Sequence, residues 1–278
     1  MLVMEKWPPR LDREIVEYYE RGEERGRLED ARGGAPLERE RTREVLRRHL
    51  PDPPATVVDV GGGAGGHALW LSSLGYDVHL RDPVPLHVEQ AEADARERGL
   101  CLASAAVGDA RALDLEDRSA DVALVLGPLY HLQETDDRRK ALSEVRRVLR
   151  AGGLLTVAAI SRWSPILGGL KHGLLEHPEH LKAVRQAAKT GRFGPTAMSR
   201  FTRAYLHRPE ELREEVRSAG FEVIDLVGLE GVGFAFSDFA QRWSDLAKRE
   251  ALIEAARLVE DVPELSGLSP HMLLVGRR

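Results

Sequence analysis

Residues 56–68 read Thr56-Val57-Val58-Asp59-Val60-Gly61-Gly62-Gly63-Ala64-Gly65-Gly66-His67-Ala68. A β-branched, apolar run broken by one aspartate passes into five glycines within six residues and then into a helix-like segment that reaches Leu74. Glycines at such a place admit positive φ, and without Cβ they let a ligand lie against backbone N–H groups at the positive end of the following helix. The chemistry this stretch can do is ligand binding through the main chain. Gly61, Gly63 and Gly66 satisfy the G-x-G-x-x-G spacing, whereas the Gly-Lys-Ser/Thr ending of a phosphate-binding P-loop is missing.

Further polar groups fall at places where such a loop would use them. Asp82 lies roughly 20 residues beyond the loop, the distance at which an acidic side chain can accept both hydroxyls of a ribose; a turn aspartate before Pro83 is the alternative reading. Asp109 follows a third apolar segment, where a ligand contact and a solvent-facing turn compete. Tyr130 and His131 follow the apolar run Asp121–Leu126 within Gly127-Pro128-Leu129-Tyr130-His131-Leu132.

The elements that must position these groups alternate. Leu37, Val45, Leu46 and Leu50 predict an amphipathic helix over 36–50, ended by the proline-rich turn 51–54. Helices are expected at 67–74, 86–98, 134–149 and 210–219, the first two closed by Gly75 and Gly99. Strands are expected at 56–60, 77–80, 100–107, 121–126, 154–160, 220–227 and 270–276. Alternating strands and helices predict an α/β fold with a largely parallel sheet, whose ligands bind beyond the carboxyl ends of the strands where strand order reverses. Gly127 to Leu132 belongs to that edge.

Asp59-x-Gly61-x-Gly63-x-Gly65 resembles the first motif of class I S-adenosylmethionine (SAM) dependent methyltransferases of the small-molecule, bacterial methyltransferase-domain type. The run Leu142-Ser-Glu-Val-Arg-Arg-Val-Leu-Arg-Ala-Gly-Gly-Leu-Leu is similar to the family's helix, double-glycine turn and fifth strand, and Ala219-Gly220-Phe221 to its entry into the sixth. The resemblance covers about residues 40–229 and 269–278. It implies a Rossmann-like, seven-stranded sheet flanked by helices with a helical cap, SAM as cofactor and S-adenosylhomocysteine as product. It further implies cofactor contacts from Asp59, Gly61, Gly63, Gly65, Asp82, Asp109, Ala110, Leu126 and Gly127, with Asp109 on the adenine amine. In such enzymes an N-terminal segment covers the cofactor, which makes Tyr18, Tyr19 and Arg27 candidates there. Tyr130, His131 and Tyr18 are the candidate catalytic side chains, with His207 as a further possible base.

On this reading residues 1–34 form a lid segment, 35–160 the SAM-binding core, 161–209 a cap insertion containing Arg162, Trp163, Phe193, Met198, Phe201, Tyr205 and His207, and 210–278 the rest of the core with a second helical insertion at about 231–268. A net charge of −5 gives no general attraction to nucleic acid or anionic membrane. The one cysteine, Cys101, cannot form an internal disulfide, and with no export signal or long apolar run the expected location is the cytoplasm. No metal is expected: His172, His177 and His180 read as solvated helix surface. The expected partner is a small-molecule methyl acceptor attacked at O, N or S, with the chain a monomer or homodimer. Two other classes stay open, a nucleic-acid or protein methyltransferase and a non-methylating protein of the same fold; Gly127-Pro128-Leu129-Tyr130 in place of an Asn-Pro-Pro-Tyr motif favours the small molecule.

Overall fold

A computed structural model describes residues 13–20, 22, 24–31, 34–194, 196 and 202–278. Residues 1–12 of the expected lid, and Met198 and Phe201 of the expected cap, lie outside the described residues. In chain order the first half contains α1 (Arg13–Tyr19), α2 (Ala35–His49), β1 (Thr56–Val60), α3 (Gly66–Ser73), β2 (Asp77–Asp82), α4 (Pro85–Glu97), β3 (Ser104–Val107), β4 (Ala120–Val125), α5 (Pro128–His131), α6 (Thr135–Val148) and β5 (Leu149–Ile160). Then come α7 (Ser164–Lys171), α8 (Pro178–Thr190), β6 (Arg192–Phe193), β7 (Ala204–Tyr205), α9 (Pro209–Ser218), β8 (Glu222–Gly228), α10 (Phe239–Ser244), α11 (Leu246–Arg257), α12 (Pro263–Ser266) and β9 (His271–Arg277).

Seven strands form a mixed sheet in the order β3-β2-β1-β4-β5-β9-β8. The first five are parallel, and β9 runs antiparallel between β5 and β8. Strand order reverses between β1 and β4, so a crevice opens where their carboxyl ends part. Because successive strand side chains face opposite ways, both faces of a parallel sheet must be apolar. Val58, Val60 and Val125 accordingly join one core with Ala141, Leu142 and Val145 of α6. Val57, Val122 and Leu124 join the other with Val45, Ala68, Leu71 and Ala91 from α2, α3 and α4.

Two expected boundaries shift. The third strand begins at Ser104, because the Leu100 N–H is taken by Ala95 O as α4 closes. The double glycine is no turn: β5 already starts at Leu149, and its register with β4 jumps from Ala120↔Leu149 to Val122↔Leu154, so residues 150–153 bulge within one long strand. A Cβ on Gly153 would lie 2.9 Å from Arg150 O.

Between β5 and α9, α7, α8 and the β6–β7 ribbon form an insertion with its own apolar cluster of Val184, Ala187, Phe193, Ala204 and Leu206. It is fastened beneath by Arg138, which is 1% exposed: its guanidinium donates to Glu215 and to Leu132 O and Gln133 O, and lies 3.6 Å from the Tyr205 ring centroid. The second insertion supplies Phe239, Leu252 and Ile253, which pack on Leu37.

Candidate active site

The floor of the cleft is the β1–α3 loop. Gly61 and Gly63 hold φ of 69° and 56°. A Cβ on Gly61 would stand 2.7 Å from Pro128 Cγ, and one on Gly62 2.7 Å from Asp59 Cγ, so the bare backbone is required here by packing as well as by conformation. Asp59 is 1% exposed and its Oδ2 has no partner among the described residues. Burial, and then the nearby Asp82, push its carboxyl up to about 7, against the Ala68 backbone hydrogen bond.

Asp82 ends β2 and anchors that loop. Its Oδ2 accepts from Gly63 N at 2.8 Å, while Oδ1 accepts from Val84 N and His87 Nδ1, each at 2.9 Å. With Nδ1 engaged by a carboxylate, the buried Nε2 of His87 is the ring's remaining polar atom, and it has no partner among the described residues. Farther along the same wall, Asp109 is gripped by the Arg111 guanidinium at 2.7 Å, and Arg111 also reaches Asp137 at 3.0 Å.

The N-terminal segment forms a roof. The Tyr19 hydroxyl lies 2.7 Å from His131 Nε2, and its ring meets His87 edge-on at 5.2 Å. Burial holds the Tyr19 phenol well above its usual pKa and pushes the His131 ring down to about 4, against the pull of Asp82. A neutral tyrosine therefore donates to a neutral imidazole. Arg27 donates from both terminal nitrogens to Glu38 at 3.1 and 3.2 Å and from Nε to Glu24 at 3.0 Å, and Arg25 pairs with Asp94 of α4 at 2.6 Å.

The far wall is more strongly charged. Burial disfavours the Glu38 carboxylate, but Arg27 and His271 outweigh it and bring the pKa down to about 2. His271 Nδ1 lies 2.5 Å from Glu230 Oε1 and 3.7 Å from Glu38. These three side chains each bring one polar atom within 4.8 Å of the others. His67, on the first turn of α3, has its ring pushed down to about 4 by burial, with Arg43 acting in the same sense.

One cavity joins these walls: Gly61, Gly63, Asp59, Asp82, Asp109, Ala110, Leu126, Gly127, Tyr19, Arg27, Tyr130 and His131 all border it. Gly65 and Tyr18 do not. Gly65 caps α3 in the left-handed region, where a Cβ would come within 3.0 Å of Ala91, so it serves the packing of α3 on α4. Tyr18 packs edge-on against Tyr19 at 5.0 Å. His207 is sealed at 0% exposure with Nε2 3.1 Å from Glu215, away from the cavity, and His180, expected at the surface, is buried against Phe193. Sequence reasoning missed His87, Glu38, Glu230 and His271. For His87 a signal existed, five residues after Asp82 on the first turns of a helix; the other three meet only through the return of β9.

The cleft can be tested for a nucleoside cofactor on its own atoms. An adenosyl group brings two vicinal hydroxyls and an exocyclic amine, all donors. Against them stand Asp82, the buried Asp59 Oδ2 and His87 Nε2, which have no partner among the described residues, and a glycine loop free of side chains. The fit is good. Residues 57–153 match the family described as "Methyltransferase domain". The chain is 36% identical over 126 residues to a ubiquinone/menaquinone biosynthesis C-methyltransferase of Acidiphilium cryptum, covering 43% of this chain and 48%, about half, of that relative's length. It is 26% identical over 231 residues to an O-methyltransferase of Penicillium expansum, covering 81% of this chain and 74% of the other. Its fold is similar to that of a SAM-dependent methyltransferase, possible histamine N-methyltransferase, of Thermotoga maritima, with a TM-score of 0.58, 24% identity and coverage of 95% and 98% of the two chains. Glycine loop, strand order and family match agree: residues 57–153 form a methyltransferase domain, and the fold is that of the SAM-dependent methyltransferases.

Proposed function

We propose that the protein transfers the methyl group of SAM to an O, N or S atom of a small molecule. The observation that carries this reading is the shape of the site. The cofactor wall and the Glu38–His271 wall border one cavity, roofed by Tyr19 and Arg27. A site so covered suits a compact acceptor better than a polymer, and the net charge of −5 gives no general attraction to nucleic acid.

Bound SAM supplies an electrophilic methyl group on a sulfonium that leaves as a neutral thioether. The chain's task is therefore binding, alignment and exclusion of water. Asp82 and His87 Nε2 take the ribose hydroxyls, Asp109 and Ala110 border the adenine, and Gly61, Gly63, Leu126 and Gly127 give backbone contact. Tyr19 and Arg27 close the roof. Residues 1–34 act as the lid and 161–209 as the acceptor-side cap of a cytoplasmic monomer or homodimer; among the described residues no helix is long and apolar enough to cross a membrane. Incubation with methyl-labelled SAM and separate pools of small phenols, amines and thiols, tRNA and protein tests the reading. Label in a small molecule is expected; label confined to RNA or protein would overturn it.

A further inference from the structure

His271 is the first residue of β9 and, because β9 runs antiparallel to β5, it stands at the carboxyl edge of the parallel strands. The pairings Val125↔Val157 and Val157↔Leu274, continued to Ile160↔His271, place it two strands from β4, about 10 Å across the sheet at the usual strand spacing. It borders the same cavity as Gly127 and Tyr130. Behind it Glu230 is 3% exposed and fully engaged: Oε1 takes His271 Nδ1–H at 2.5 Å, and Oε2 accepts from Ser269 Oγ at 2.7 Å and the His271 backbone N–H at 3.1 Å. Nδ1 is thus committed, Nε2 is the ring's remaining nitrogen, and a quarter of the side chain is exposed. A buried carboxylate fixing one imidazole nitrogen while the ring edges a reaction cavity is the arrangement of a general base and its positioning residue.

We propose that His271, held by Glu230, is the acid–base group of this site and that the acceptor presents a hydroxyl oxygen. The proposal rests on the methyltransferase reading above. The acceptor's O–H bond breaks with its proton passing to Nε2, the oxygen lone pair forms the new O–CH₃ bond, and the methyl–sulfur bond breaks with both electrons left on sulfur. The imidazolium then gives its proton to solvent. Charges balance, since a cationic sulfonium becomes a neutral thioether and one proton is released.

The ring faces Glu38 from α2, Glu230 from beyond β8 and Arg27 from the lid, with Asp30, Lys171 and His172 around an adjoining cavity it also borders. Burial works against the imidazolium, Glu38 and then Glu230 outweigh it, and Arg27 opposes them in part, so the pKa is pushed up to about 9. A hydroxyl, a weak nucleophile while it keeps its proton, is the acceptor for which a base positioned at the cavity edge matters most. The alternatives fit less well: the His131 ring is a far weaker base already bonded to Tyr19, and His207 lies outside the cavity.

The test uses the full chain with methyl-labelled SAM, a panel of simple phenols and catechols, a nitrophenol already ionised at neutral pH, and matched amines and thiols. Wild type should methylate the hydroxyl acceptors with kcat/KM rising with pH towards about 9. His271→Asn should lose roughly a hundredfold or more on un-ionised phenols, flatten that rise, and lose far less on the nitrophenol, with SAM affinity by calorimetry within threefold of wild type. Glu230→Gln, as a second variant, should shift the rise to lower pH. Turnover confined to amines and thiols, no hydroxyl acceptor methylated, or an unchanged pH profile in His271→Asn would overturn the assignment. Loss of activity on chelation, restored by a divalent cation, would also overturn it by giving the cluster to a metal. Failure of wild type to bind SAM would instead defeat the underlying methyltransferase reading.

Discussion

The Tyr19 hydroxyl donates to His131 Nε2 across 2.7 Å, joining the last residue of α1 to the last residue of the short helix after β4. This bond ties the roof to the switch point of the sheet, and under the proposed lid role opening the site must break it. Tyr19→Phe leaves the buried imidazole without that donor, at a cost of about 1–3 kcal/mol. KM for SAM should rise and hydrogen exchange over 13–31 should quicken; unchanged exchange would show that this contact does not hold the lid.

Acid should loosen the same region. His131 has its folded pKa depressed to about 4, whereas the unfolded ring titrates near 6.5. Between those values the unfolded chain binds a proton that the native ring refuses, so stability present above about pH 6.5 falls as pH is lowered towards 4. From pH 7 to 5 the loss from this one group is about 2 kcal/mol. Urea unfolding of wild type and His131→Gln should differ in their pH slopes by that amount over this window, and parallel slopes would contradict it.

At alkaline pH the sign reverses for His271. Its folded pKa is raised to about 9, so its contribution is complete below about pH 6.5 and is lost as pH rises through 9. The thermal midpoint should fall more steeply between pH 6.5 and 9.5 in wild type than in His271→Asn. Equal declines would mean that Glu38 and Glu230 do not stabilise the imidazolium.

Asp82 carries three internal donors as well as the expected ribose contact. Asp82→Ala should therefore weaken SAM binding by more than tenfold and also destabilise the fold by roughly 2–4 kcal/mol, because Gly63 N, Val84 N and His87 Nδ1 lose their acceptor. His87→Ala, which removes the ring and leaves the carboxylate, should weaken SAM with a smaller loss of stability. Calorimetry paired with denaturant melts separates the two, and equal effects on both would remove any separate role for His87.

Most of the sheet, and the glycine loop, Asp82 and Asp109 that border one cavity, are legible in the sequence because their signals are local. Glycine density fixes the β1–α3 turn, and the apolar runs fix β1 and β4. Asp82 is findable because a strand and a helix of ordinary length separate it from that turn. The cluster of Glu38, Glu230 and His271 lacks such signals. Glu38, Glu230 and His271 come from a helix, a loop and a strand start, 233 residues apart at the extremes, and they meet only because β9 inserts antiparallel between β5 and β8. His207 misled for the opposite reason. A histidine near the end of an expected cap reads as an active-site base, yet Glu215 and Arg138 draw it into the joint between that insertion and the core.

The most direct measurement is a crystal structure of the chain with S-adenosylhomocysteine. The ribose hydroxyls should lie within hydrogen-bond distance of Asp82 and His87 Nε2, the purine beside Asp109 and Ala110, and the sulfur towards Gly127 and Tyr130, in the cavity that His271 borders. Clear density for the ligand elsewhere on the chain, or a ribose that leaves Asp82 and the glycine loop untouched, would contradict the assignment of the site.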